Sequence, residues 1–134
     1  IHRRGLGPHV HLLGRRTGVA RLLAAADLVL LTSPGEDAPR ALIEAMAAGR
    51  PVVATRVGDV GELVDDGTSG MLARPGDYAT LAKAILHLGG DPVLRRRMGQ
   101  RGRERAEALF SEAAMGAHYD RIYREMIDAP VCRT

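Results

Sequence analysis

Three short apolar runs constrain this chain more than anything else in it. They are "DLVLLT" (27–32), "PVVAT" (51–55) and "MLAR" (71–74). Each is too short for a buried helix and lacks the polar alternation of a half-solvated strand, so each reads as a strand covered on both faces. Segments with helical periodicity separate them. "TGVARLLAAA" carries Val19, Leu22, Leu23 and Ala26 on one stripe, and "APRALIEAMAAG" has Pro39 near its first turn and Gly49 at its stop. "VGELV" reads as a single helical turn, and "HVHLL" (9–13) as a further strand. Strands joined through helices must pair in parallel, so the expected class is α/β, a parallel sheet with flanking helices. The rest is helical. Asp77, Asp91 with Pro92, and Ser111 are expected to cap three helices, the last with Met115, His118 or Tyr119, Ile122 and Met126 on one face.

The chain has 134 residues, enough for one modest domain, and we read 1–134 as a single partial domain. It is 46% hydrophobic but only 3% aromatic, so its core must be built from Ala, Leu, Val, Ile and Met. No run reaches the roughly 18 apolar residues of a membrane helix, and the basic start has no signal-peptide core. Cys132 is the only cysteine and forms no internal disulfide, which favours a cytoplasmic protein. Nineteen basic residues, all but Lys83 being Arg, face 16 acids. That near balance does not indicate a nucleic-acid partner. Arg95, Arg96, Arg97, Arg101, Arg103 and Arg105 crowd one helix, but Glu104 and Glu107 interrupt them and no aromatics interleave, so a solvated face is expected. His9 and His11 share one face of the expected strand; two ligands without a third do not make a metal site, and none is expected.

Ligands of open parallel sheets sit at the carboxyl ends of the strands. Here those ends read "GRRTG", "SPGEDAP", "TRVGDVGE" and "RPGD", rich in Gly, Thr, Arg and acids. Either this is ordinary turn chemistry or it is the lining of a polar cleft. The helix after Pro39 sharpens the question. Leu42, Ile43, Met46 and Ala47 form its expected core face, while Ala41, Ala45 and Ala48 surround Glu44 on the other. A lone carboxylate among alanines is costly unless it is paired or hydrogen-bonded. Glu44 therefore either meets a core Arg or lines a cleft where ligand hydroxyls reach it. Glu36, in the preceding loop, either caps the helix or stands beside an anion held by the first-turn N–H groups.

The stretch "LLAAADLVLLTSPGEDAPRALIEAMAAGRPVVATRVGDVGELVDDGTSGMLARPGD" closely resembles the C-terminal domain of the group 1 (family 4) retaining glycosyltransferases. The Glu-x7-Glu motif is matched at Glu36 and Glu44, and "LGGDPVLRRRMGQRGRERAEALFS" and "YDRIYREM" follow in the family's order. The resemblance implies a Rossmann-like parallel sheet within a GT-B fold and a chain that binds a nucleotide-sugar donor without a metal ion or other cofactor. It implies that Glu36 contacts the donor sugar as the catalytic residue and that Glu44 holds the ribose hydroxyls. Asp37, Ala38 and Pro39 would line the donor, with the backbone N–H groups of Ala41 and Leu42 on its diphosphate. Asp37 and Ala38 replace the Gly and aromatic usual after the first Glu, and Gly61 stands where Pro is frequent. The family's N-terminal, acceptor-binding domain has no counterpart here, nor do the first two strands of the C-terminal domain with their Arg and Lys phosphate clamp. In the family's strand order those two lie between the strands matching 9–13 and 27–32. Arg15 and Arg56 are candidates to supply part of the clamp. The expectation is a donor-binding part of a hexosyltransferase-type enzyme, inactive alone, whose parent acts on a sugar, lipid or small-molecule acceptor at the inner face of the membrane or free in the cytoplasm. The alternative is a non-catalytic remnant that binds a nucleotide or a partner chain.

Overall fold

The computed structural model describes residues 2–35 and 39–128. After a 3-10 turn (His2–Arg4), the elements in chain order are α1 (Val19–Ala25), β1 (Val29–Leu31), α2 (Arg40–Ala47), β2 (Val52–Thr55), α3 (Val60–Leu63), β3 (Gly70–Ala73), α4 (Tyr78–Gly90), α5 (Pro92–Phe110) and α6 (Glu112–Asp128). The strands form a parallel sheet in the order β1-β2-β3, with Val29 opposite Val52 and Val52 opposite Gly70. The α/β class and its parallel sheet with flanking helices are as expected.

The period-two alternation of the strands divides the core between the two sheet faces. Val52, Ala54 and Leu72 pack with Leu42, Ala45 and Met46 of α2 and with Val60 and Leu63 of α3. Val53 and Ala73 point the other way, onto Leu81, Ala84 and Leu88 of α4. α5 serves both faces, through Ala106 on the first and Met98 on the second. β2 is buried at every residue.

Three expectations are corrected. The strand over 9–13 is absent; those residues are extended or turn-like and exposed. A strand needs a neighbour to satisfy its backbone groups, and β2 is the only strand paired to β1 among the described residues. The shared face proposed for His9 and His11 goes with it. β1 is covered on one face only: Val29 and Leu31 reach the α2 side, while Leu30 is 45% exposed because α4 packs on β2 and β3. On α2 the buried residues are Leu42, Ala45 and Met46, so Ala45 belongs to the core face and Ala47 to the open one. α1 and α6 bury no residue; Met115, Tyr119 and Met126 of the expected core stripe of α6 are each more than half exposed.

Helix ends follow the sequence closely. The Asp77 carboxylate accepts from Thr80 N–H (2.9 Å), and that of Asp91 from Val93 (2.9 Å) and Leu94 (2.8 Å). The Ser111 hydroxyl accepts from Ala114 N–H at 3.2 Å. At the end of α2, Gly49 N–H donates to Met46 O (2.8 Å) and Arg50 N–H to Ala45 O (3.0 Å), a Schellman closure that requires the positive φ (68°) of Gly49. The backbone donor of Thr80 holds the Asp77 carboxyl below its ordinary value of 3.8, and that of Leu94 does the same for Asp91. A depressed folded-state pKa contributes stability above the ordinary value that is lost as pH falls through the depressed one. Thermal melts across the acid range are therefore expected to hold steady above pH 3.8 and to lose stability below it. A double variant, Asp77→Asn with Asp91→Asn, keeps neutral caps and should show a shallower acid slope. An unchanged slope would remove the caps as its source.

Candidate functional site

The carboxyl ends of the strands are tied together before any ligand is considered. Thr55, buried at the end of β2, donates its hydroxyl to Ser33 O beyond β1 at 2.6 Å. Arg56 N–H donates to Ala73 O at 2.8 Å, and the Arg56 guanidinium pairs with Asp66 at 2.8 Å. The other Asp66 oxygen accepts from Leu72 N–H at 2.9 Å. From α5, Arg105 donates to Leu63 O (2.9 Å) and Glu62 O (2.6 Å), closing the last turn of α3. Residues 56–66 are thus held at both ends, as a fixed wall beside the strand ends.

Pro39 is buried as the N-cap of α2, with φ −75° and ψ 89°. Its carbonyl accepts from Leu42 N–H at 2.9 Å. Leu42 N–H is thus engaged in the first turn of α2, and the Leu42 side chain is fully buried in the core. Ala41 is exposed beside it. Glu36, Asp37 and Ala38 lie outside the described residues.

Glu44 is exposed one turn on from Arg40 and has no hydrogen-bonding or ionic partner among the described residues, so the core-Arg reading falls away. It lines a groove of about 790 Å³ between α2, the end of α5 and the start of α6. Ile43, Leu109, Phe110 and Met115 contribute apolar surface, and Arg40, Glu44, His118 and Tyr119 supply polar groups. Arg121 donates to His118 Nδ1 at 3.0 Å. The groove can therefore offer a carboxylate acceptor, a guanidinium and a phenol beside an apolar wall. Arg40 was legible in sequence as the i−4 neighbour of Glu44 on one helix. His118 and Tyr119 were not, because only the turn at Ser111 brings the start of α6 to the groove beside α2.

Of the two candidate phosphate contacts, Arg56 is engaged with Asp66, and Arg15 lies in the exposed loop before α1. The α5 arginines are mostly committed as well: Arg101 pairs with Glu104 (3.0 Å) and Arg103 with Glu107 (2.7 Å), while Arg95 and Arg105 donate to backbone carbonyls. The two ion pairs cancel part of the charge a polyanion would need. No group of three metal-ligating side chains occurs among the described residues, and no helix there is long and apolar enough to cross a membrane.

Residues 1–91 match the family described as Glycosyl transferases group 1. N-acetyl-alpha-D-glucosaminyl L-malate synthase of Bacillus anthracis is 38% identical over 118 residues, which are 88% of this chain and 31% of that protein. The structure of Anabaena HepE in complex with UDP superposes with a TM-score of 0.88 at 32% identity, covering 92% of this chain and 34% of that one. Sucrose-phosphate synthase of Thermosynechococcus elongatus gives a TM-score of 0.87 at 34% identity, covering 94% and 32%. The chain thus spans about a third of the length of the relatives it matches. Its fold is the Rossmann-like one expected for part of the C-terminal domain of a GT-B enzyme. By sequence along two thirds of its length and by structure along nearly all of it, the chain belongs to the group 1 glycosyl transferases.

Proposed function

We propose that this chain supplies the donor-binding part of a retaining, hexosyltransferase-type enzyme that moves a sugar from a nucleotide diphosphate sugar to a hydroxyl acceptor. The observation that carries the reading is Glu44: a carboxylate with no partner among the described residues, on the open face of α2, beside a groove, at the second position of the Glu-x7-Glu motif. An ionised carboxylate only accepts, and two vicinal hydroxyls are matched donors for its two oxygens. We assign Glu44 to the ribose and Glu36 to the donor sugar, with Asp37, Ala38, Pro39 and Ala41 lining the path between. HepE, at 32% identity, was solved with UDP, which supports a nucleotide ligand for this chain too. The protein's contribution is electrostatic and positional: backbone N–H groups at the start of α2, around Ala41 and Leu42, stabilise the departing diphosphate. No metal enters this reading. The parent enzyme would work in the cytoplasm or at the inner face of the membrane, on a sugar, lipid or small-molecule acceptor.

The test uses a chimera in which this chain replaces the matching third of the B. anthracis relative. Calorimetric titration with UDP-, GDP- and ADP-sugars should show saturable binding of at least one. Glu44→Ala should weaken it by about 1–3 kcal/mol, the loss of charged hydrogen bonds. Equal affinity in the two chimeras would remove Glu44 from the site. Donor binding without sugar transfer would favour the non-catalytic reading.

A further inference from the structure

At the amino ends of the strands, away from the proposed donor site, three arginines converge on a pocket of about 270 Å³. Arg50 comes from the turn after α2, Arg95 and Arg96 from the first turns of α5, and Asp27 stands opposite just before β1. We propose that this pocket is a phosphate-binding site that takes a phosphomonoester group.

The argument rests on how the guanidinium groups are held. Arg50 donates through Nη2 to Ala24 O at the end of α1. Arg95 donates through Nη1 to Leu88 O (2.6 Å) and Gly89 O (2.7 Å) at the end of α4, and its Nη2 lies 3.5 Å from Asp27. Carbonyls fix a guanidinium without neutralising it. Further along α5, by contrast, Arg101 and Arg103 are cancelled by Glu104 and Glu107. Three cations against one carboxylate leave the pocket with two formal positive charges. Each guanidinium has five N–H donors, and these bonds leave several unused. Arg50 Nε is buried with no acceptor among the described residues. A buried donor without a partner is costly, so Arg50 gains from any acceptor brought beside its guanidinium. Arg96 is exposed and has no ionic partner among the described residues, so its charge is available at the mouth. The volume falls below the roughly 300 Å³ at which drug-sized ligand pockets begin, which suits one phosphate group better than a whole nucleotide sugar. A soluble sugar phosphate and a phosphomonoester lipid headgroup present the same chemistry.

The experiment follows the arginine Nε–H resonances of the 15N-labelled chain during titration with inorganic phosphate at constant ionic strength. Saturable shifts are expected at Arg50 and Arg96. Arg96→Ala, at an exposed position that leaves the fold intact, should weaken phosphate about tenfold, as expected for one charged hydrogen-bonding partner. Arg101→Ala should leave its affinity unchanged. Flotation with phosphatidylcholine vesicles carrying phosphatidic acid then separates the sources. Capture that Arg96→Ala abolishes assigns the site to a headgroup, and phosphate binding without capture assigns it to a soluble ester. Shifts that are linear in phosphate or uniform over all arginines, or equal affinity in wild type and Arg96→Ala, overturn the proposal.

Discussion

Gly99→Ala is expected to destabilise the chain by about 3 kcal/mol or more, the upper range for overpacking a close contact. A Cβ at Gly99 would stand 2.1 Å from Gly49 O and 2.9 Å from Gly49 C, against backbone rather than a mobile side chain. That backbone has little freedom to retreat. Gly49 closes α2 with two hydrogen bonds at positive φ, and Pro51, 3.4 Å from the same Cβ, leads directly into β2. Relief would require α5 to lift from α2, exposing Met46 and Met98. Gly116→Ala in α6 is the control: nothing lies within 4 Å of its Cβ, and replacing a mid-helix Gly should gain up to about 1 kcal/mol. Urea midpoints of the two variants should move in opposite directions. A Gly99→Ala midpoint equal to wild type would mean that the α2–α5 contact is looser than it stands here.

Leu42→Ala is expected to cost about 2–5 kcal/mol, the range for removing a fully buried leucine from a packed core. Leu42 is fully buried and sits in the cluster that joins α2 to Val52, Ala54 and Val60. Leu42→Met, nearly volume-conserving, should cost less than about 1.5 kcal/mol. The pair separates packing from any role at the donor site, because both variants keep the Leu42 N–H that donates to Pro39. Denaturant titration gives the stabilities, and calorimetry on the chimera gives the donor affinity. If Leu42→Met weakened the donor as Glu44→Ala does, the side chain would have a ligand role its burial denies it.

How far the fold was legible depended on how local its causes are. β1, β2 and β3 appear where the apolar runs place them, and the helix starts at Asp77, Asp91 and Ser111 and the stop at Gly49 are as read. A cap or a Schellman turn is satisfied within four or five residues, so its signal is written in one short stretch. The failures were non-local. "HVHLL" has strand chemistry but, among the described residues, no strand beside it to complete its hydrogen bonds. Leu30 has strand burial chemistry, yet α4 does not reach over β1. Met115, Tyr119 and Met126 have core spacing on a helix whose described neighbours do not cover them. On α2, Ala45 and Ala47 exchanged places because alanines mark neither face by hydrophobicity alone.

The candidate site divides in the same way. The start of α2 and the place of Glu44 one turn on from Arg40 were legible in sequence, because spacing along one helix fixes which side chains share a turn. Tertiary structure decided what that spacing could not. Glu44 has no buried Arg beside it, because among the described residues no element carries one to the open face of α2. Arg56 goes to Asp66 and Arg105 to the end of α3 because β2, β3 and α5 converge there. The groove beside Glu44 exists because the chain turns at Ser111 and brings the start of α6 to its far side. Residue type and spacing set which groups are available. Which of them meet depends on where strands pair and helices cross, and those contacts join residues far apart in the chain.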